Sequence, residues 1–172
     1  MTTKTTVFAF RIDPKDAAEL RRLAKDDHVS MAALVSQVLK SYLEWDHMWS
    51  KVGMVPMEKE TVRELIENIP DDRMGKVVTY AADRFMGNLL LMTGKSTLES
   101  FLHVTRKRFE KSGLYLSEFV EDGKLQLTVH HRLGRKWSIF TSEYHDIAIR
   151  QLGYKTEVDV KDDLWIIKIE TT

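Results

Sequence analysis

The sequence contains no cysteine, which removes disulfides, thiolate-bound zinc or iron–sulfur sites and thiol catalysis, and suits a reducing compartment. Proline is scarce: Pro14, Pro56 and Pro70 are the three, and each falls where a periodic pattern starts or stops. No run of about 18 apolar residues occurs, and the opening MTTKTTVFAFRID lacks the apolar stretch of a signal peptide. A soluble, cytoplasmic protein with no membrane partner is the expectation. Neither sign of charge is in excess, since 26 Lys+Arg oppose 26 Asp+Glu, and such a balance argues against a surface that binds polyanions everywhere. What is present is apolar material, 43% of 172 residues, enough to bury a core in one or two small domains.

The charge balance is an average. Among residues 1–25, Lys4, Arg11, Lys15, Arg21, Arg22 and Lys25 face only Asp13, Asp16 and Glu19, so the front of the chain is basic. Residues Thr5 to Ile12 alternate, with Phe8, Phe10 and Ile12 on one side and Val7, Ala9 and Arg11 on the other, the period of a strand. Asp13 then stands as an N-cap, Pro14 suits the first helical position, and Asp16 completes a capping-box-like arrangement. Ala17, Leu20, Leu23 and Ala24 give that helix a narrow apolar stripe, which Asp26-Asp27-His28 ends. Ser30 caps a second helix, whose apolar positions Leu34, Val35, Val38, Leu39, Tyr42, Trp45 and Trp49 run to about Ser50. A single strand cannot satisfy its backbone groups, so this module needs a second chain. A two-fold dimer solves the problem: its strands pair antiparallel and its helices close over Phe8, Phe10 and Ile12, with Leu20, Leu34, Val35 and Val38 in the shared core.

The segments VFAFRIDP, ELRRLAKDDHVS and SMAALVSQVLKSYLEW, in this order, resemble the ribbon-helix-helix DNA-binding family, the Arc/MetJ-like dimers that lay a two-stranded ribbon in the major groove. The resemblance implies base contacts from Thr5, Val7, Ala9 and Arg11. It implies phosphate contacts from Lys4 and from the start of the second helix at Ser30, Met31 and Ala32, where free amides and the helix dipole favour an anion. Arg11 is the strongest candidate, because a guanidinium can meet guanine O6 and N7 together. Val7 and Ala9 depart from the more polar side chains usual in the family, which points to modest discrimination or to readout of DNA shape. His28 stands where the family often has glycine, and so must accept a left-handed backbone, which histidine tolerates better than most.

From Pro56 onward the pattern changes. Val62, Leu65, Ile66 and Ile69 mark a short helix, Met74, Val77, Val78, Ala81 and Phe85 a second, and Leu98, Phe101, Leu102, Thr105 and Phe109 a third. The run Asn88 to Thr93 reads equally as more helix or as a buried strand. Strand-like runs 114–120 and 124–131 flank the turn Glu121-Asp122-Gly123, a helix follows from about Gly134 to Leu152, and a second hairpin turns at Lys161-Asp162-Asp163. The expected fold is α+β: a ribbon-helix-helix dimerisation module over 1–50, a linker over 51–56, and over 57–172 a helical segment followed by a ββαββ antiparallel-sheet domain.

No P-loop or GxGxxG appears. Ser138, His145 and Asp146 offer the residue types of a triad, but on one helix and without a nucleophile elbow. His130 and His131 would point to opposite faces of a strand. No enzyme activity, metal or cofactor is therefore expected. Two basic clusters stand out: His103, Arg106, Lys107, Arg108 and Lys111, and HHRLGRK before a helix. In the second, His131, Arg132, Arg135, Lys136 and Trp137 form a candidate anion or ligand site. Met54, Met57, Met74, Met86 and Met92, with Trp137 and Trp165, fit either an adaptable apolar pocket or plain core. Through VSQVLKSYLEWD, GMV and LGRKWSIF the arrangement also resembles regulators, many of them archaeal, in which this module precedes an α+β domain. The resemblance implies a homodimeric or tetrameric transcriptional regulator, with repression the expected sense, whose partners are double-stranded DNA, itself and a small-molecule effector. The alternatives are an antitoxin-like interaction module and a low-specificity DNA-organising protein.

Overall fold

A computed structural model describes residues 6–49 and 51–171. The chain forms two compact units, Met1–Trp49 and Ser50–Thr172, and combines helices with one four-stranded antiparallel sheet, an α+β composition.

In the first unit, α1 (Pro14–Asp26) starts where Asp13 Oδ1 accepts the Lys15 N–H at 2.8 Å. It stops in a Schellman motif: the His28 N–H donates to Lys25 O and the Val29 N–H to Ala24 O, with His28 itself at φ 54. Then α2 (Met31–Ser41) opens on Ser30, whose Oγ accepts the Ala33 N–H at 3.1 Å. The apolar run that reads as one helix to about Ser50 is interrupted by a π-helical turn, Tyr42–Asp46, before α3 (His47–Trp49). Ser41 Oγ donates to Asp46 Oδ2 across this wider turn at 2.7 Å. Trp45 lies within it, buried and edge-on to Trp49.

The strand expected over Thr5 to Ile12 is not observed: residues 6–12 form no ladder, and Thr5 lies outside the described residues. The physical reason is the lack of a pairing partner. A ladder needs a second strand, and the four strands of the sheet pair only with one another.

The second unit begins with α4 (Lys59–Glu67) and α5 (Asp71–Thr93). The run Asn88 to Thr93 is the end of α5, because Leu89 continues the buried stripe of Val78, Ala82 and Phe85, and Gly94 closes the helix at φ 68. Next, α6 (Leu98–Lys111) opens on a capping box between Thr97 and Ser100. The strands β1 (Tyr115–Glu121) and β2 (Lys124–His130) meet at Asp122-Gly123, both with positive φ, as a tight two-residue hairpin requires. Helix α7 (Arg135–Gln151), β3 (Thr156–Val160) and β4 (Leu164–Glu170) complete the chain.

The strands lie in the order β1-β2-β4-β3, so β4 of the second hairpin pairs with β2 of the first. The register sets Leu125 opposite Ile169, Leu127 opposite Ile167 and Val129 opposite Trp165. All six are buried on one face, and α7 packs against β3 and β4. Val52, in the segment read as linker, is buried too. Among the described residues no helix is long and apolar enough to cross a membrane.

Candidate nucleic-acid interface

Along the front segment, Val7 is 93% exposed, and Ala9 and Arg11 are exposed as well. So are the side chains of the opposite alternating set: Phe8 at 84%, Phe10 at 63% and Ile12. Lys4 and Thr5 lie outside the described residues. Of the other residues expected in a dimer core, Leu20, Leu34 and Val35 are half-buried and Val38 is exposed. Within residues 6–49 only Ala24 and Trp45 are buried apolar residues, so one copy of this unit has almost no core of its own.

At the start of α2 the Ala33 amide is taken by Ser30 Oγ. Met31 and Ala32 are exposed, and first-turn amides of a helix have no carbonyl partner within it. The basic surplus is smaller in effect than in count. Arg22 is gripped by Glu19 at 2.6 Å and Asp26 at 2.7 Å on its own helix. Its hydrogen bond to Glu19 lowers that carboxyl's pKa and raises its own. Arg11, Lys15, Arg21 and Lys25 remain exposed.

The loop HHRLGRK is built as a corner. His131 Nδ1 accepts the Leu133 N–H at 3.0 Å, so the ring proton sits on Nε2, which donates to Ser138 Oγ at 2.7 Å. The serine hydroxyl in turn donates to Asp162 O. Burial pushes His131 down to about 4, and the ring is neutral. A catalytic histidine would accept from the serine; here the polarity is reversed and the pair clamps α7 to the β3–β4 turn. Asp163 completes the corner, its carbonyl accepting the His131 N–H and its carboxylate the Gly134 N–H.

The five residues read as one anion or ligand site therefore do separate jobs. His131 and Trp137 are buried with their rings 4.3 Å apart. Lys136 Nζ donates to Glu67 O at 3.1 Å and Ile69 O at 2.7 Å and pairs with Asp71 at 3.0 Å, tying α7 to the α4–α5 junction. Arg135 lies 3.6 Å from Asp162. Arg132 is exposed on left-handed backbone. The amide of Gly134, the N-cap of α7, already has the Asp163 carboxylate as its acceptor.

The triad types are likewise dispersed: Ser138 serves His131, Asp146 holds Arg150 and Thr156, and His145 Nδ1 donates to Thr141 O at 2.7 Å. In the first basic cluster Arg106 makes two bonds to Glu118, Lys107 pairs with Glu110, and Arg108 lies over the Tyr144 ring. The methionines split, Met74 buried and Met57 exposed. Among the described residues no group of three or more His, Asp or Glu is placed to hold a metal. Sequence reasoning underrated His145, which is fully buried among five aromatic rings and pushed by burial to about 3. The available signal was the spacing of Phe101, Thr105 and Phe109, which makes an aromatic stripe with one hydroxyl in it. No protein-family model matches the chain, and no curated protein matches it significantly.

Proposed function

We propose that this chain is a ribbon-helix-helix transcriptional regulator, a repressor that binds its operator as a homodimer by laying two antiparallel 5–12 segments in the major groove. The observation that carries this reading is the first unit's lack of a core: Phe8, Phe10, Val38 and Leu39 all stand exposed in one copy. They follow the period that a strand and a capped helix would use to meet a second copy. Pairing buries Phe8, Phe10 and Ile12 and turns Val7, Ala9 and Arg11 outward. It also doubles the basic surplus on the DNA-facing side. The N-termini of both α2 helices, at Ser30, Met31 and Ala32, then supply amides to backbone phosphates. In the same reading the second unit is a helical segment plus a ββαββ domain that senses an effector or extends the oligomer. An effector there acts only through different affinities for DNA-competent and DNA-incompetent dimers.

The test is DNA binding on the promoter region upstream of the chain's own gene and on random DNA, at several salt concentrations. A preference of about a thousandfold or more for the promoter supports the regulator. Little preference makes the protein a DNA organiser, and no binding at low salt by a confirmed dimer rejects both. Arg11→Ala is expected to weaken promoter binding by roughly tenfold or more while leaving the melting temperature unchanged; an equal loss of both makes Arg11 structural.

A further inference from the structure

The core of the second unit contains three buried polar atoms with no hydrogen-bond partner among the described residues: His145 Nε2, Thr105 Oγ1 and Trp165 Nε1. All three residues are fully buried, and they belong to α7, α6 and β4 respectively. They converge. The His145 ring lies 5.8 Å from Phe101, 5.5 Å from Phe109 and 5.3 Å from Trp165. On α6, residues 101, 105 and 109 are four apart and share a face, so Thr105 stands between two rings that both touch His145. Buried polar groups in native proteins are almost always bonded, and one orphan in a core already calls for an explanation. Two further orphans beside an imidazole whose own Nε2 is unpartnered point to a shared partner.

Their chemistry is complementary to a single kind of group. Because Nδ1 donates to Thr141 O, His145 is the Nδ1–H tautomer and Nε2 offers a bare lone pair. The Trp165 indole can only donate, and the Thr105 hydroxyl can do either. One oxygen carrying a hydrogen satisfies all three: it donates to Nε2, accepts from Nε1–H and exchanges a bond with Oγ1. A charged group is disfavoured, since the imidazole is surrounded by the rings of Phe85, Phe101, Phe109 and Tyr144. Consistently, the imidazole itself is held neutral. We infer that His145, Thr105 and Trp165 form an internal binding site for one neutral hydroxyl-type oxygen, either a structural water or the hydroxyl of a small organic molecule, bridging α6, α7 and β4. Such a site is independent of the DNA-binding reading.

The experiment uses the full chain, isotope-labelled, with the Trp165 indole resonance identified by its loss in Trp165→Phe. A direct cross-relaxation peak between the indole proton and water supports the site with water as its occupant. A peak to a non-exchangeable resonance foreign to the chain, with matching added mass in native mass spectrometry, supports the organic hydroxyl. In parallel, Thr105→Val, which keeps shape and removes the hydroxyl, should lower the melting temperature by roughly 2–4 °C, and the same Thr105→Val change made in a His145→Phe background should cost less. Thr105→Ser keeps the indole signal, and serves if the valine variant folds poorly. Absence of both peaks together with a Thr105→Val variant that melts higher than the parent overturns the proposal, because deleting a truly unpartnered hydroxyl removes a penalty. Coupling between Thr105 and His145 without any peak at Trp165 also overturns it, by showing that the two side chains bond directly.

Discussion

His131 and His145 are both buried and both neutral, with pKa values pushed down to about 4 and about 3 by loss of solvent. In the unfolded chain each takes a proton near pH 6.5. Between about pH 6.5 and 4 the unfolded state therefore binds more protons than the folded one, and stability falls as pH falls through that window, by up to about 1.4 kcal/mol per pH unit for each histidine. Urea unfolding at pH 7 and pH 5 should show this loss. It should be smaller in His131→Gln and in His145→Phe, and a loss unchanged in both variants would mean that other groups set the acid limit. Lys136 makes a different prediction. Its ammonium holds the carbonyls of Glu67 and Ile69, whereas its carboxylate partner Asp71 is 90% exposed. Lys136→Met should then destabilise by roughly 1–2 kcal/mol, while Asp71→Asn should change stability by well under about 1 kcal/mol, both read by thermal or urea unfolding.

At the scale of elements, the ends of helices were legible because capping chemistry is local. Asp13 and Ser30 each start a helix by accepting an amide two or three residues on, whereas the stop at Gly94 followed a run that fitted helix and strand equally well. The left-handed backbone at His28 was expected through the resemblance to the ribbon-helix-helix family, which often has glycine there, and His28 does adopt it. Glycine at this position should stabilise the first unit by about 0.5–1 kcal/mol by removing the side-chain clash, whereas β-branched His28→Val should destabilise it by at least as much; circular-dichroism melts of the two variants would read opposite signs. What the sequence did not disclose depends on distance along the chain. The Lys136–Ile69 bond spans 67 residues, and the β2–β4 pairing that puts Trp165 beside Val129 follows from how two hairpins meet. The corner that occupies HHRLGRK exists only because that pairing brings Asp162 and Asp163 to α7. The π turn at Tyr42–Asp46 was hidden for another reason: an apolar run with helical spacing fits both a regular helix and one widened by a residue.

At the scale of the molecule the two units differ in what a single copy can support. The second has a sheet face of Leu127, Val129, Trp165, Ile167 and Ile169, each fully buried, and so holds a core of its own in one chain. The first buries Ala24 and Trp45 among its apolar residues and leaves Phe8, Phe10 and Leu43 largely in solvent. Exposed apolar area of that kind is removed by association. If a second copy covers it, the stability of residues 6–49 becomes inseparable from protomer concentration. The full chain should then sediment as a dimer at micromolar concentration, and the melting of the first unit should shift upward as concentration rises while that of the second stays fixed. Phe10→Ser removes an aromatic ring from the centre of the proposed ribbon face. It should dissociate the dimer and lower or abolish the concentration-dependent transition, with the second unit melting as before. A wild-type chain that sediments as a monomer and melts identically over a hundredfold range of concentration would show that the front apolar face is covered by something other than itself.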